Sequence, residues 1–595
     1  MTCSFIVQSS LVDILLAPIS ARSMSKLPYL KKELLNSNLK NPTLPTPYSL
    51  LPTPYSLLPI FRRLPQMRAL LLYPLFPKSF WSFDKALELI GRKVSLPPLG
   101  MITVAAILPQ TWEFRLVDRN VRFETEADWN WADLVIVSGM IVQKADMLHL
   151  ICEAKRRGKL VAAGGPYVTS VPEIAQSVGV DFLVLDEGEI TLPLLVQALE
   201  RGETSGIFHA GGEKPDLHNT PIPRFDLLDL KAYNEMSVQF SRGCPFQCEF
   251  CDIIVLYGRK SRTKTPAQLL AELQALYDLG WRRSLFLVDD NFIGNKRNVK
   301  LLLRELAPWM AEHGYPFRLA TEASVDLAQD QELLDLMIAS NFKSVFLGIE
   351  TPDTDSLALT QKFQNTRNSL IESVQTINQS GLSVMAGFIL GFDGEKEGVG
   401  DRIIEFVEAT AIPKAMFGML QALPNTALWH RLEKEGRLLS ENQETYGHQM
   451  TLTNFIPTRS LEKLAREYVS CFWELYEPSR YLSRVYRHFI AMKPAAHKVP
   501  FRMLELIEIK AVLIICWRQG IKRKTRFQFW RQLFSIIRQN SSAFVPYLSN
   551  CALIEHFIEY RQIVRDEIEA ELAKLLERKA NCEANIPEAR EAALL

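Results

Sequence analysis

Three cysteines, Cys244, Cys248 and Cys251, stand at C-x3-C-x2-C spacing in the run Ser241-Arg-Gly-Cys-Pro-Phe-Gln-Cys-Glu-Phe-Cys-Asp252. Thiolates are the usual protein ligands of iron–sulfur clusters, and so short a spacing lets one tight loop supply several of them. With no fourth cysteine nearby in the sequence, a four-iron cluster held here keeps one iron open to a non-protein ligand. Two other readings also fit three thiols: a zinc loop, or buried and unreactive cysteines. Structural zinc usually takes four protein ligands on two paired arms, and the sequence offers no second arm.

A loop that does chemistry needs regular elements to hold it. The strand-like run Met236–Phe240 leads into the cysteines, and the residues after them keep a β/α rhythm. Helix Pro266–Leu279, with Thr265 as its N-cap, is followed by strand Ser284–Val288 ending in Asp289-Asp290-Asn291-Phe292. Helix Lys296–His313 precedes strand Phe317–Thr321, which ends at Glu322, and helix Gln331–Ser340 precedes Ser344–Leu347, which ends in Gly348-Ile-Glu350. Val384–Leu390 runs into Gly391-Phe-Asp-Gly394, and Ala415–Leu420 into Gln421. Six such units predict a partial (β/α)6 barrel over residues 235–432, with polar residues at the carboxyl ends of its strands, where barrels house their chemistry.

Residues 67–205 read as a second α/β unit. Strands are expected at Ala69–Tyr73, Phe114–Val117, Leu134–Ser138, Leu160–Ala163 and Phe182–Leu185, with helical apolar spacing over Lys144–Arg157. The pattern predicts a doubly wound, Rossmann-like parallel sheet whose ligand lies beyond the strands' carboxyl ends. Those ends carry Asp118-Arg-Asn120, Ser138-Gly139-Met140, Gly164-Gly165-Pro166 and Asp186-Glu187-Gly188-Glu189. Residues 206–234 hold three prolines with little periodicity and read as a linker.

The two ends of the chain differ from this middle. In residues 1–66 the heptad Pro45-Thr-Pro-Tyr-Ser-Leu-Leu51 is repeated at once as Pro52–Leu58, which reads as a disordered extension, with Met67 a candidate initiator and a targeting or docking tail the alternative. Residues 433–595 are expected to be mostly helical after an irregular strand-like piece at Gln449–Pro457. Within them, Arg518 to Arg538 interleaves seven Lys/Arg with Phe527, Phe529, Trp530 and Phe534 and contains no acid. Two readings stand for it: an interfacial helix on anionic lipid, or a helix packed on the barrel with a solvated basic face. The net charge of +1 in 595 residues gives no general case for nucleic acid, and no run of 18 uninterrupted apolar residues appears. Nine scattered cysteines speak for a reducing, cytoplasmic setting, with the inner membrane face as its extension through 518–538.

The cysteine motif, with Phe250 before its last thiol, resembles the radical S-adenosylmethionine (SAM) enzymes. That resemblance implies a [4Fe–4S] cluster on Cys244, Cys248 and Cys251, with SAM on the open iron. It further implies SAM contacts from Phe250, Asp289, Asp290, Asn291, Glu322, Glu350, Gly387 and Gly391. The N-terminal half is similar to the cobalamin-binding domain of one branch of that family. Its signature is kept at Asp118, Ser138, Gly164 and Gly165, while Asn120 and Phe123 stand where the family has histidine and glycine. Cobalamin contacts are thereby implied for Asp118, Asn120, Ser138, Gly139, Gly164, Gly165, Glu187 and Gly188, with no imidazole beneath the cobalt.

The implied activity is cobalamin-dependent radical methylation of an unactivated carbon, driven by a 5′-deoxyadenosyl radical and fed by a reducing partner such as a flavodoxin or ferredoxin. The Leu71-Leu72-Tyr73-Pro74 opening, the Asp186–Glu189 turn and the helical tail resemble the hopanoid C-2 methylase group, which implies a lipid substrate. A cobalamin-dependent radical oxidoreductase or cyclase, acting on another small molecule, is the alternative, and a non-catalytic electron carrier the remote one. A methylthiotransferase would need a second cluster, but Cys152 is the only cysteine between Met67 and Cys244.

Overall fold

Alternating apolar residues give the first sheet two buried faces. The computed structural model describes residues 66–439, 450–494 and 506–592, so the tandem repeat lies outside the described residues. Strands β1 (Arg68–Tyr73), β2 (Glu113–Asp118), β3 (Leu134–Ser138), β4 (Leu160–Gly164), β5 (Phe182–Val184) and β6 (Gly206–Phe208) pair in parallel in the order β2-β1-β3-β4-β5-β6. Ala69 and Leu71 pack with Met101, Ala105, Leu192 and Leu195 on one face. Leu70 and Leu72 pack with Met147, Leu150 and Ile151 on the other. A parallel sheet needs both faces covered in this way. With β2 and β3 on either side of β1, the order reverses there and opens a crevice at the carboxyl ends of β1 and β3. The sixth strand falls in the stretch expected to be linker. It is a three-residue edge strand whose Ile207 is 54% exposed, so it carries no apolar signal to read.

The second sheet follows from β7 (Met236–Val238). A short antiparallel ladder, β8 (Ser241–Arg242) with β9 (Arg262–Thr263), closes the base of the cysteine loop. Then β10 (Ser284–Leu287), β11 (Arg318–Ala323), β12 (Phe342–Glu350), β13 (Ser383–Leu390) and β14 (Lys414–Met419) complete a six-stranded parallel sheet in simple chain order, the open barrel that the sequence predicts. The helix after β9 starts where expected: Thr265 Oγ1 accepts from Gln268 N at 3.2 Å, and Gln268 Oε1 accepts from Thr265 N at 2.9 Å. This reciprocal capping box satisfies two backbone donors that a helix start leaves open.

Helices Leu461–Leu475, Pro478–Ala491, Leu506–Trp517, Arg526–Gln539, Phe544–Ala552 and Ile554–Ala592 form the tail. Tyr476 serves the edge strand of the barrel, donating to Ala415 O at 2.6 Å and accepting from Ala415 N at 2.9 Å. Arg484, fully buried, donates to Ile412 O at 2.9 Å and Leu475 O at 2.7 Å and pairs with Glu408 at 3.0 Å.

One segment ties all three parts together. Between β1 and β2 the chain leaves the first sheet and sends Phe80 into the tail. There its ring stacks on Phe557 with centroids 5.0 Å apart, and edges meet Tyr476 and Tyr560. Burial pushes His556 down to about 4, so the ring is neutral and donates from Nε2 to Phe80 O at 2.9 Å. Phe80, the barrel interior and the tail belong to one continuous apolar core. Phe80→Ala is therefore expected to destabilise the folded chain by about 3–5 kcal/mol, lowering the melting temperature measured by calorimetry. An unchanged melting temperature would show that the segment merely rests on the tail.

Candidate functional site

The cysteine loop is shaped first by a glycine. Gly243 has φ +87°, and a Cβ there would lie 2.7 Å from Lys260 O and 2.9 Å from Gly258 O, so only glycine lets the two limbs of the loop close. Cys244 N donates to Gly258 O at 3.3 Å, and Cys251 N to Cys248 O at 3.2 Å. Cys248 is buried while Cys244 and Cys251 are partly open, and none is in a disulfide. Phe250 stacks obliquely on Phe392 at 5.4 Å, which fixes the loop to the carboxyl end of β13. Burial pushes the Cys244 thiol up to about 11. It is therefore a protonated thiol until a metal displaces the proton. Among the described residues no three His, Cys, Asp or Glu side chains converge as ligands of one metal ion. A cluster asks less of them, because each thiolate meets a different iron.

The acidic end of β10 holds this loop. Asp289, buried, accepts from Phe240 N at 2.8 Å, Ser241 N at 2.7 Å and Ser241 Oγ at 2.6 Å. Burial raises its carboxyl to about 7 against the pull of those donors. Asp290 accepts from Gly243 N at 2.9 Å. Asn291 donates to Ser324 Oγ at 3.2 Å and points its amide at Cys244 Sγ, 3.9 Å away. The three residues expected to meet SAM thus converge on the cysteine loop, and the carboxylate of Asp289 is committed to that loop's backbone.

Three further side chains gather at the neighbouring strand ends. Glu322 at β11 has its carboxyl held well above the usual carboxylate range by burial, and then by Asp290, Asp289 and Glu350. Glu350 ends β12 with φ +65° and forms a buried ion pair with Lys362. Gly348 makes room for that pair, since a Cβ there would sit 2.5 Å from Glu350 Oε1 and 2.8 Å from Lys362 Nζ. Burial opposes the charge on Lys362, but Glu350 and Cys248 hold its ammonium above the ordinary lysine value. Its Nζ lies 5.8 Å from the Phe250 ring centroid, and Gln364 donates to Cys248 Sγ at 3.6 Å. Sequence reasoning missed Lys362 and Gln364; a lysine and a glutamine in a loop carry no local mark of burial. Gly387 stands on β13 as the register partner of Gly348, and Gly391 follows the end of that strand. Gly387 packs under the Phe346 ring, and Gly391, at φ +107°, donates from N to Glu395 at 3.0 Å.

Across from the loop lies the crevice of the first sheet. Ser138 and Gly164 are register partners on β3 and β4, and a Cβ on Gly165 would lie 2.3 Å from Ser138 Oγ. Gly139 has Pro74 and Gln143 beside it, and Gly188 has Leu192. These bare backbone edges form a cradle that side chains would fill. Beside it, the buried Tyr167 hydroxyl has no partner among the described residues and lines a cavity of about 430 Å³ with Lys144, Thr169, Asn425 and Trp429. A cradle of glycines with a waiting hydroxyl suits part of a large ligand with polar arms, and on this count the residues fit a corrinoid. Asp118 and Asn120 are otherwise engaged. Asn120 donates to Asp118 Oδ1 at 2.7 Å and accepts from Phe76 N at 2.9 Å, while Asp118 accepts from Tyr233 OH at 3.1 Å.

The carboxyl ends of the two sheets face each other through an ion-pair clamp. Arg242, next to the cysteines, lies 2.9 Å from both Glu187 and Glu189, and Arg262 lies 2.7 Å from Glu187. Glu187 therefore joins the halves. The signal for this was present in Ser241-Arg242-Gly243, but nothing local told which acids the arginine would meet.

Family models match three stretches: B12 binding domain at residues 89–196, Radical SAM superfamily at 238–407, and a domain of unknown function (DUF4070) at 426–570. The chain is 65% identical to an uncharacterized methyltransferase of Synechocystis sp., over 86% of this chain and 95% of that protein. It is 34% identical to the hopanoid C-2 methylase of Rhodopseudomonas palustris, over 78% of this chain and 88% of that one. Its fold is similar to that of TsrM, a radical S-adenosylmethionine methyltransferase from Kitasatospora setae solved with cobalamin and a [4Fe–4S] cluster. There the TM-score is 0.52 at 16% identity, covering 80% of this chain and 100% of that one.

Asp289→Ala leaves the Phe240 and Ser241 donors without an acceptor, at about 1–3 kcal/mol each, and frees the start of the loop. The expected outcome is a chain with normal far-ultraviolet dichroism that loses iron and visible absorbance after anaerobic reconstitution. Full iron loading in this variant would show that the loop keeps its shape without the carboxylate.

Proposed function

This chain belongs to the cobalamin-dependent radical SAM methyltransferase family, and we propose that it methylates an unactivated carbon of a hopanoid, a polycyclic membrane lipid. The 34% identity to the hopanoid C-2 methylase over 78% of this chain carries the substrate reading. Family membership brings a [4Fe–4S] cluster, SAM and cobalamin as cofactors. When bound, the cluster supplies one-electron cleavage of SAM and cobalamin supplies the methyl group, chemistry that belongs to the cofactors while the protein positions them.

In this reading Cys244, Cys248 and Cys251 hold the cluster. The amides of Asn291 and Gln364 donate toward two of the sulfurs, and the Lys362 ammonium sits beside Cys248. Donors and a positive charge close to thiolates favour their charged form and raise the reduction potential of a cluster they hold. Phe250, Asp290, Glu322, Glu350, Gly387 and Gly391 surround the room for SAM, with Asp289 and Asn291 holding the loop around it. Glu322, biased toward its neutral form by its burial and its acidic neighbours, offers an O–H donor there. Ser138, Gly139, Gly164, Gly165 and Gly188 offer backbone edges to cobalamin, with Asp118, Asn120 and Glu187 bracing the crevice. The Asn120 amide is tied to Asp118 and the Phe76 backbone, so it would brace the crevice and would not serve as a ligand. The electron donor in this reading is a flavodoxin or ferredoxin, and a lipid substrate places the enzyme at the inner face of the membrane.

Lipid mass spectrometry of a hopanoid-producing host, with and without the chain from Met67 onward, tests the substrate. A new hopanoid heavier by one CH2 unit is expected, and it should vanish with Cys248→Ala. Unchanged hopanoids alongside a purified protein that cleaves SAM and carries cobalamin would discard the substrate and keep the enzyme class.

A further inference from the structure

Helix Leu506–Trp517, a single π-helical turn at Arg518–Lys522 and helix Arg526–Gln539 follow one another along the outside of the tail. Their inner faces are buried through Ala511, Ile515, Phe529, Leu533 and Ile536. Their outer faces are not: Leu513 is 64% exposed, Trp517 52%, Phe527 76% and Phe534 63%. Leu506, Ile509, Leu513, Trp517, Ile521 and Trp530 line an open, mostly apolar groove of about 590 Å³. So many large apolar side chains on one surface mark an interaction site. The sequence suggests a basic-aromatic helix over 518–538, and the apolar run before it, Ala511–Trp517, is only seven residues long. The structure puts both on one surface.

A second cavity, of about 600 Å³, adjoins the groove at the shared turn, lined by Lys85, Arg518, Lys522 and Lys524 together with Glu477 and Glu555. Glu555 is neutralised by Arg523 at 2.6 Å, and Lys85 pairs with Glu559 outside the cavity at 2.5 Å. Arg518, Lys522 and Lys524 have no carboxylate partner among the described residues. From Lys510 to Ile554 the sequence has eight Lys/Arg and not one acid.

We propose that this surface docks on a bilayer containing anionic lipid, its apolar groove among acyl chains and its basic cleft around a lipid phosphate. Charge decides between possible occupants. A second copy would bring an equal set of cations to the same face, and residues 1–65 carry only Asp13 and Glu33 as acids. An anionic bilayer supplies both the apolar phase and the counter-charge. The inference rests on the surface alone and holds whatever carbon the enzyme methylates.

Flotation of the full chain tests it, using hopanoid-free vesicles of phosphatidylcholine with and without phosphatidylglycerol. The chain should float with the anionic vesicles, and high salt should release it. L513E/W517E and K522E/K524E should each lower partitioning about tenfold or more, with melting temperature and SAM cleavage unchanged since the four side chains lie outside the cofactor sites. Equal flotation on neutral vesicles, or variants that float like the parent, would overturn the proposal. So would a dimer in light scattering that L513E/W517E dissolves, which makes a second copy the occupant. Binding only after removal of residues 1–65 would likewise assign the surface to that segment. Because these vesicles hold no substrate, failure here leaves the hopanoid reading untouched, and the reverse also holds.

Discussion

The Arg242 guanidinium is the point on which the architecture turns. Its side chain is 12% exposed, lies between Glu187 and Glu189, and stands two residues before the first cysteine. Burial works against its charge, but Glu189 and Glu187 outweigh that and hold it above the ordinary arginine value. A buried cation left without partners is strongly unfavourable, so the arrangement is stable only while the two sheets face each other. The same short segment therefore sets the cysteine loop and the distance between the halves. A fork of five donors on a rigid plane holds two carboxylates in a fixed geometry, which the flexible point charge of a lysine does not impose.

Around that clamp the site concentrates groups that folding alone would avoid. Asp289, Glu350 and Lys362 are buried, and Glu322 is biased toward its neutral form by burial and by the acids nearby. Each is tolerated for a nameable reason. Asp289 is saturated with backbone donors, Glu350 is paired with Lys362, and Glu322 is relieved by that bias toward the neutral form. Buried charge of this kind requires a rigid surround, because partial satisfaction in a low dielectric is expensive. The surround is the continuous apolar core running from Phe80 through the barrel to the tail. The Phe80 segment and the Arg242 clamp hold the first sheet to the barrel from two sides.

What the sequence reveals follows the distance between partners. Cluster-type cysteine spacing, the Thr265 N-cap and the strands of both sheets are local patterns, and they are legible. Strand ends differ by one to three residues because fraying is set by neighbours. The Arg242–Glu187 and Asp118–Tyr233 contacts span 55 and 115 residues, and no local signal tells which side chains will meet. The Glu350–Lys362 pair spans only 12, yet depends on a kink at φ +65° that sequence does not announce. Asp289 and Asp290 are instructive in another way. Acids at a strand end are legible as important, but whether they face a ligand or hold the loop that does is decided by backbone donors a few ångströms away.

The tail raises a question that the catalytic half does not answer. A helix apolar all around its circumference belongs inside a core. Helix Leu506–Trp517 is apolar but for Glu508 and Lys510, yet it buries only one side, while Leu506, Leu513 and Trp517 stay in the open. Packing on the neighbouring helices explains Ala511 and Ile515 and leaves Leu506, Leu513 and Trp517 exposed among the described residues. Overall charge does not account for the cations beside it either, since the chain as a whole carries only +1. Acids elsewhere balance the total, so the acid-free stretch from Lys510 to Ile554 is a local concentration of positive charge rather than a general property. An apolar surface and a cationic one placed side by side describe the two layers of a membrane interface better than the surface of another folded protein, where aromatic anchors usually meet a matched pocket.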